Sequence, residues 1–440
     1  VSDIHFGIET YSKIDTVTGL PTRLVDCVAA FDRAIDRALE AGVDAVLFTG
    51  DAYKNRDPNP TVQREFAARI MRIVAKGIPV FLLTGNHDLP NMSTRAHSLE
   101  IFKTLAVPGV YVARDIGLYN LETKSGPLQI ISIPWLTRQN LITREEYRGR
   151  SLEELNQLML DKMETLLHDQ VRRLDPKIPA VLAVHASLIG AMYSSERDIM
   201  LGQDFTLQKS LLQAEKFDYI AVGHIHKHQN LEAGDTPIVY PGSLERINFG
   251  EEKDDKGFVL VEIDDPGGGR VTRHTEWHFL PDPLVRAFRT LDLNIQELAP
   301  DDLLNPTAAA IQALQKEMDQ LKNGSLKGAI VRVNLKLRAD QQAELREEEM
   351  RRALTDWGAY HIAGIARLVD RTRRIRLAGE SVEGLAPIQL LEKYLETKNV
   401  RQDRLELLLK YANALMHGST PETLSSDAPP LVQTSLIPLE

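Results

Sequence analysis

One cysteine, Cys27, stands alone among 440 residues, and a lone thiol excludes any disulfide framework within the chain. No apolar run approaches the ~20 residues that a membrane-spanning helix requires, so a membrane protein is not expected. The first residues carry no basic flank followed by an apolar signal core. An intracellular location is the expectation from these absences. Basic charge is also short: the formal net charge is −10, which excludes a chain coated in lysine and arginine for indiscriminate nucleic-acid binding. Any contact with nucleic acid must then be local. No repeat of solenoid length is present. The three tryptophans, Trp135, Trp277 and Trp357, are expected in cores rather than as base-stacking platforms.

A chain this long exceeds what one hydrophobic core usually serves, so two or three domains are expected. Residues Leu24, Cys27, Val28, Phe31, Ile35 and Leu39 recur at helical spacing, and Gly42 follows them. Val43 to Thr49 is then a short, nearly continuous apolar run closed by Gly50-Asp51, the pattern of a buried parallel strand. The unit recurs, with a helix from about Thr61 to Lys76, a strand from Ile78 to Thr84 and the sequence Gly85-Asn86-His87-Asp88. A helix from about Ser151 to Leu174 leads to the strand Ala180 to Val184 and His185; Tyr219 to Val222 ends in Gly223-His224-Ile225-His226. Four apolar strands thus run directly into potential metal ligands, and in open α/β sheets ligands bind beyond the carboxyl ends of strands.

From Pro237 to Ile263 short strands and turns predict an antiparallel region, and a domain boundary is expected near Pro281-Asp282-Pro283. Beyond it, Val331, Val333, Leu335 and Leu337 alternate with Arg332, Asn334, Lys336 and Arg338, predicting a strand with one mostly basic face. A helix from Asp340 to Leu354 and a strand around Ala363 to Val369 complete a small βαβ-type domain. Two amphipathic helices follow Pro387, and such a pair needs a partner surface, whether in this chain or another. The Pro- and Ser-containing tail from Thr420 offers little pattern.

Asp3 and His5 are two apart, as are His224 and His226, so in extended backbone each pair projects to one side and can share a metal. Because the chain opens Val1-Ser2-Asp3, a strand is expected to precede it and to place that carboxylate. Asp51 and Asn86 add oxygen donors and His185 another imidazole. Imidazole and oxygen without thiolate suit Mn²⁺ first, with Fe²⁺ or Zn²⁺ as alternatives, rather than Ca²⁺. Seven ligands exceed one ion's needs. Two ions sharing a carboxylate, ~3.5–4 Å apart, account for the number and suit phosphate-ester displacement. Each residue alone is ordinary; their order on successive strand ends is not.

That series resembles the calcineurin-like metallophosphoesterases. Ser2-Asp3-Ile4-His5-Phe6-Gly7, Gly223-His224-Ile225-His226-Lys227-His228-Gln229 and Tyr240-Pro241-Gly242-Ser243-Leu244-Glu245-Arg246 are similar, further, to the SbcD-type exonuclease subunits of bacteria. The resemblance implies an α/β fold with a layered α/β/β/α nuclease domain over 1–283, a small α+β capping domain that touches DNA over 284–378, and a helical segment over 379–440. It implies two divalent ions, one held by Asp3, His5, Asp51 and His226 and the other by Asp51, Asn86, His185 and His224, with His87 as the acid and Asp88 orienting it. It also implies DNA double-strand exonuclease and single-strand endonuclease activity in end processing and double-strand break repair. An SbcC-like coiled-coil ATPase would bind the C-terminal helices in a cytoplasmic, nucleoid-associated complex. A homodimer is implied too, with Val62, Phe66, Ile70, Ile73, Leu99, Phe102 and Leu105 as candidate contacts if they are not buried in the monomer.

Candidate DNA contacts are Lys54, Arg332, Lys336, Arg338, Arg371, Arg373, Arg374 and Arg376, for each of which a solvated basic face is the alternative. Lys54 departs from the family pattern, where a second Asp or His is common. Two other functions stay open: a dinuclear phosphoesterase acting on small phosphodiesters or phosphoproteins, and a non-enzymatic DNA-end scaffold for an ATPase. Gly50-Asp51-Ala52-Tyr53-Lys54 disfavours a protein phosphatase, and the complete ligand set disfavours a scaffold.

Overall fold

The computed structural model describes residues 1–90, 95–137, 141, 149–194, 206–232, 234–296, 305–320, 326–369, 386–397 and 402–416. Close contacts divide the chain into two units, 1–368 and 369–440.

In chain order the first unit carries α1 (Thr22–Ala41), β1 (Val46–Phe48), α2 (Pro60–Val74), β2 (Val80–Leu83), α3 (Glu100–Thr104), β3 (Val110–Ala113), β4 (Gly117–Thr123), β5 (Gly126–Ile133), α4 (Leu152–Val171), β6 (Ala180–His185), β7 (Ser187–Leu188), β8 (Thr206–Leu207), β9 (Tyr219–Gly223), β10 (Gln229–Asn230) and β11 (Ile238–Tyr240). The hairpin strands β12 (Gly257–Asp264) and β13 (His274–Pro281) follow. Next come β14 (Phe288–Asn294), α5 (Pro306–Gln320), β15 (Ile330–Leu337), α6 (Ala339–Gln342), α7 (Glu347–Asp356) and β16 (His361–Val369), whose last residue falls in the second unit.

Two sheets stack. One has the order β1-β2-β3, all parallel; the other runs β10-β11-β9-β6-β5-β4. Phe81, Leu83 and Ala113 from the first pack against Leu121, Ile130 and Ala183 from the second. The outer faces are covered by helices. Phe31, Ile35, Phe66, Ile70 and Phe102 seal α1, α2 and α3 onto the first sheet, while Leu155, Met159, Met163 and Leu167 seal α4 onto the second. The expected α/β/β/α layering is present because strands buried on both faces need apolar partners on both sides.

Local chemistry sets the helix ends. Gly42 closes α1 at φ 63°, a left-handed turn that glycine adopts without steric cost. Ser151 and Glu154 form a reciprocal capping box at the start of α4.

Four expectations need correction. The stripe Val62, Phe66, Ile70, Ile73, Leu99 and Phe102 is interior to the monomer, and only Leu105 of that set is exposed, as are Ile101 and Met71 outside it. An amphipathic stripe reports that a face is buried, not what buries it. The region after Pro237 is mixed: β11 pairs parallel with β9 and antiparallel with β10, while β12 and β13 form the hairpin. The helix over Asp340–Leu354 is two pieces, α6 and α7. Between them the Arg346 N–H donates to the Thr307 hydroxyl at 2.9 Å. Finally, the ligand pairs expected in extended backbone are not so placed: Asp3 and His5 lie at φ 52° and 50°, and His224 at φ 102°.

The sheet β14-β15-β16 is separate from the two stacked sheets, and α5 connects β14 to β15 as a parallel βαβ unit. It is fastened to the preceding region by Arg286, which donates to both carboxylate oxygens of Asp26, at 2.5 and 2.6 Å, and to the Gly328 carbonyl. In the second unit, α8 (Pro387–Thr397) and α9 (Gln402–Met416) pack on each other. No described helix is long and apolar enough to cross a membrane.

Candidate metal centre

The candidate ligands gather where the carboxyl ends of β1, β2, β6 and β9 meet across the two sheets. The segment Val1–Phe6 runs beside 47–54: the Asp3 N–H donates to the Gly50 carbonyl at 3.0 Å and the His5 N–H to the Asp51 carbonyl at 3.1 Å. Four candidates have positive φ: Asp3, His5, Asp51 and His224, at 52°, 50°, 59° and 102°. Non-glycine residues occupy this region at a steric cost, and such costs are tolerated where the surrounding structure fixes a functional geometry.

Donor atoms of Asp3, His5 and His226 lie within 4.8 Å of one another, as do those of Asp51, His185 and His224, and of His5, Asp51 and His87. Asn86 Oδ1 is 3.1 Å from both His185 Nε2 and His224 Nδ1. Asp51 faces both halves, with Oδ2 3.6 Å from His5 Nε2 and Oδ1 3.6 Å from His185 Nε2. Asp3 accepts the His224 N–H through both oxygens, at 3.1 and 3.0 Å.

The tautomers decide what these atoms can hold. His185 Nδ1 is 2.6 Å from the Thr49 carbonyl, an acceptor only, so Nδ1 carries the proton and Nε2 presents a lone pair. That lone pair points at the oxygens of Asn86 and Asp51, which are acceptors too. His226 Nδ1 is likewise 2.9 Å from a Glu251 carboxylate oxygen, leaving its Nε2 lone pair 3.0 Å from His5 Nε2, whose N–H can donate to it when no ion is bound. Around His185, where acceptors converge on acceptors, they repel unless a cation lies between them. Burial holds the His5 and His185 imidazoles below their ordinary pKa, with neighbouring His226 adding to the effect on His5. Neutral imidazole is the form a metal requires. For Asp51, burial pushes the carboxyl upward, but His185, His87 and the His87 N–H outweigh it and hold the group ionised. The donor set therefore fits divalent metal.

Close approach explains the glycines that precede ligands. A Cβ on Gly50, which has φ +100°, would lie 2.2 Å from His185 Nδ1. Gly50→Ala is expected to displace that ring from the Thr49 carbonyl and weaken Mn²⁺ binding about tenfold or more, read by calorimetric titration. An unchanged isotherm would show that the ring is positioned otherwise.

His87 is half-buried, its ring edge-on to His5 at 4.9 Å, and its Nδ1 donates to the Lys54 carbonyl at 2.8 Å. Its N–H donates to Asp51 Oδ1 at 2.8 Å. Asp88, expected to orient the His87 ring, instead accepts the N–H groups of Asp51, Ala52 and Gly85 at 2.9, 3.1 and 2.9 Å. It ties the two ligand-bearing loops together. Burial, reinforced by the Asp51 carboxylate, pushes its pKa up to about 7.

Of the candidate DNA contacts, Lys54 lies at this cluster, its carbonyl accepting the His87 ring N–H, while Arg332 and Arg338 make their contacts elsewhere. Arg332 stacks on Phe249, 4.4 Å from the ring centre, and donates to the Thr290 hydroxyl. Arg338 donates to the Gln296 carbonyl, and Lys336 is exposed. Arg371, Arg373, Arg374 and Arg376 lie outside the described residues. Trp135, expected in a core, is only half-buried with its ring 4.7 Å from that of His224, and Glu251 and Lys256 behind His226 escaped sequence reasoning. A cavity of about 720 Å³ lined by Phe31, Leu47, Val239 and Phe258 includes none of the candidate ligands.

The profile of the calcineurin-like phosphoesterase family matches residues 1–228, just over half of the chain. The chain belongs to that family. It is 24% identical over 281 residues to the DNA double-strand break repair protein Mre11 of Archaeoglobus fulgidus, covering 60% of this chain and 56% of the relative. It is 23% identical over 242 residues to SbcD, a component of the SbcCD nuclease of Staphylococcus saprophyticus, covering 54% and 60%. Mre11 of Methanococcus maripaludis matches at 24% over 276 residues, covering 60% and 62%. The chain thus spans somewhat over half the length of these relatives. Family membership agrees with a dinuclear metal centre in general form.

Near the cluster, His97 is buried, and burial depresses its imidazole pKa from 6.5 to about 4. On acidification the unfolded chain binds the proton first, so stability is lost as pH falls from about 6.5 toward 4. Between pH 7 and 5 the loss is about 1–2 kcal/mol. His97→Gln is expected to remove that part of the pH dependence, read from urea midpoints of both proteins at the two pH values; equal pH slopes would contradict it.

Proposed function

We propose that this protein is a metal-dependent DNA nuclease, cutting double-stranded ends as an exonuclease and single strands as an endonuclease. The observation that carries the reading is the convergence of obligate acceptors, the His185 Nε2 lone pair facing the oxygens of Asn86 and Asp51. Asp3, His5, Asp51 and His226 would hold one ion and Asp51, Asn86, His185 and His224 the other, with Mn²⁺ the expected metal. Bound divalent ions supply the positive charge that steadies a phosphodiester in its transition state and activates water. The protein supplies the proton chemistry. With Nδ1–H committed to the Lys54 carbonyl, Nε2 of His87 is left to face the substrate, and it is as imidazolium that the ring would give its Nε2 proton to the leaving oxygen or bond the scissile phosphate, returning to the neutral ring.

DNA is favoured over small esters by relatives named for double-strand break repair and for a nuclease. On the same basis α8 and α9 would dock on an SbcC-like coiled-coil ATPase, within a cytoplasmic complex for DNA end processing. Exposed Leu407, Leu408, Leu415 and Met416 suit that role. A homodimer would use Met71, Ile101 and Leu105. Lys336 and Lys54 are the DNA contacts proposed first, since Arg332 and Arg338 are engaged internally.

The test is cleavage of end-labelled duplex and single-stranded DNA with Mn²⁺, beside a chromogenic phosphodiester. Metal-dependent DNA cutting is expected. Hydrolysis of the small ester without DNA cutting would replace the nuclease with a phosphodiesterase of small substrates.

A further inference from the structure

We propose that Glu251 and Lys256 form a buried positioning pair for His226, gripping it at two points so that Nε2 alone faces the metal centre. The proposal rests on the metal reading above. Glu251 Oε1 takes the ring Nδ1 at 2.9 Å, and Lys256 Nζ donates to the His226 main-chain carbonyl at 2.9 Å. The two are joined at 2.7 Å with both side chains fully buried.

Nothing about this pair is accidental packing. Lysine and glutamate are almost never fully buried unless paired, because each charge loses its hydration. Here every charge-bearing atom is also engaged by neighbours. Lys256 donates to the Ser243 hydroxyl at 2.9 Å, and Glu251 Oε2 accepts the Ile247 N–H at 3.1 Å. Glu251 Oε2 faces two donors, the Lys256 ammonium at 2.7 Å and the Ile247 N–H, which suits an acceptor carboxylate. An anionic acceptor fixes the proton on Nδ1, and a metal-ligating histidine is commonly oriented in this way.

The pair also explains the block Pro241-Gly242-Ser243, which the catalytic reading leaves unused. Gly242 has φ +77°, and a Cβ there would lie 2.6 Å from the His226 carbonyl that Lys256 holds. Ser243 then supplies its hydroxyl to the same ammonium. Residues some 25 positions downstream of His226 are thus built around one ring and one carbonyl.

The experiment is calorimetric titration of Mn²⁺ into the whole chain, with metal-free melting measured in parallel. The variants are Glu251→Gln, the double change Glu251→Gln with Lys256→Met, and His226→Ala. The double change removes both charges, so it spares the fold the unpaired ion that either single change leaves. One ion is expected to bind about 10–100-fold more weakly in the double variant, the other as in the wild type, with metal-free melting preserved. A wild-type isotherm in the double variant, while His226→Ala loses a site, overturns the positioning role alone. An unchanged isotherm in His226→Ala overturns the metal reading and this proposal with it.

Discussion

Asp51→Asn is expected to abolish metal-dependent cleavage, a fall of about a thousandfold or more, equivalent to ~4 kcal/mol of transition-state stabilisation. The carboxylate divides its oxygens: Oδ2 faces His5 and Oδ1 faces His185, each at 3.6 Å. Asparagine removes the negative charge and turns one of those oxygens into an N–H donor. Whichever way the amide sits, one half of the cluster loses its acceptor and both halves lose the anion between them. The fold should survive, because the main-chain bonds of this loop to His5 and Asp88 do not involve the side chain. Cleavage rates and metal content of the purified variant check this together. An active Asp51→Asn protein would remove Asp51 from the centre.

His87→Ala separates binding from chemistry. The His87 main-chain N–H donates to Asp51, and alanine keeps that bond. Each ion retains its four proposed donors, so metal content is expected to match the wild type. What is lost is the ring, held by the Lys54 carbonyl with Nε2 available for proton transfer. Loss of a positioned general acid costs typically about 10²–10⁴-fold in rate. Single-turnover cleavage with metal content measured on the same sample checks it. Wild-type cleavage in His87→Ala would end the acid assignment, and loss of metal would recast His87 as a ligand.

Much of this centre was legible because its ligands follow apolar strands by no more than three residues. Phe48 to Asp51, Leu83 to Asn86 and Gly223 to His224 are such steps, and apolar runs closed by Gly-Asp or Gly-His carry the signal in one dimension. The layering followed from the same runs, since a strand buried on both faces implies cover on both. The backbone at Asp3 and His5 was not legible. Alternation by two suggested extended chain, whereas both residues adopt positive φ under main-chain bonds to Gly50 and Asp51, partners separated by more than 40 positions. Nor could the α2 stripe reveal its partner: Phe66 meets Phe31 and Phe48 within the monomer, and periodicity carries no information about which surface closes on it. Glu251 and Lys256 left no trace in spacing, because their role depends on a tertiary contact to a histidine. Asp88 was misplaced for a related reason, since adjacency in sequence to His87 says nothing about which way its carboxylate turns.

The most direct test is the number of Mn²⁺ ions bound per chain, by calorimetric titration of the metal-free protein and of Asp51→Asn. Two ions in the wild type, with high-affinity binding lost in the variant, are expected of a centre whose two halves share one carboxylate. One ion or none in the wild type, or two ions undisturbed in Asp51→Asn, would contradict it.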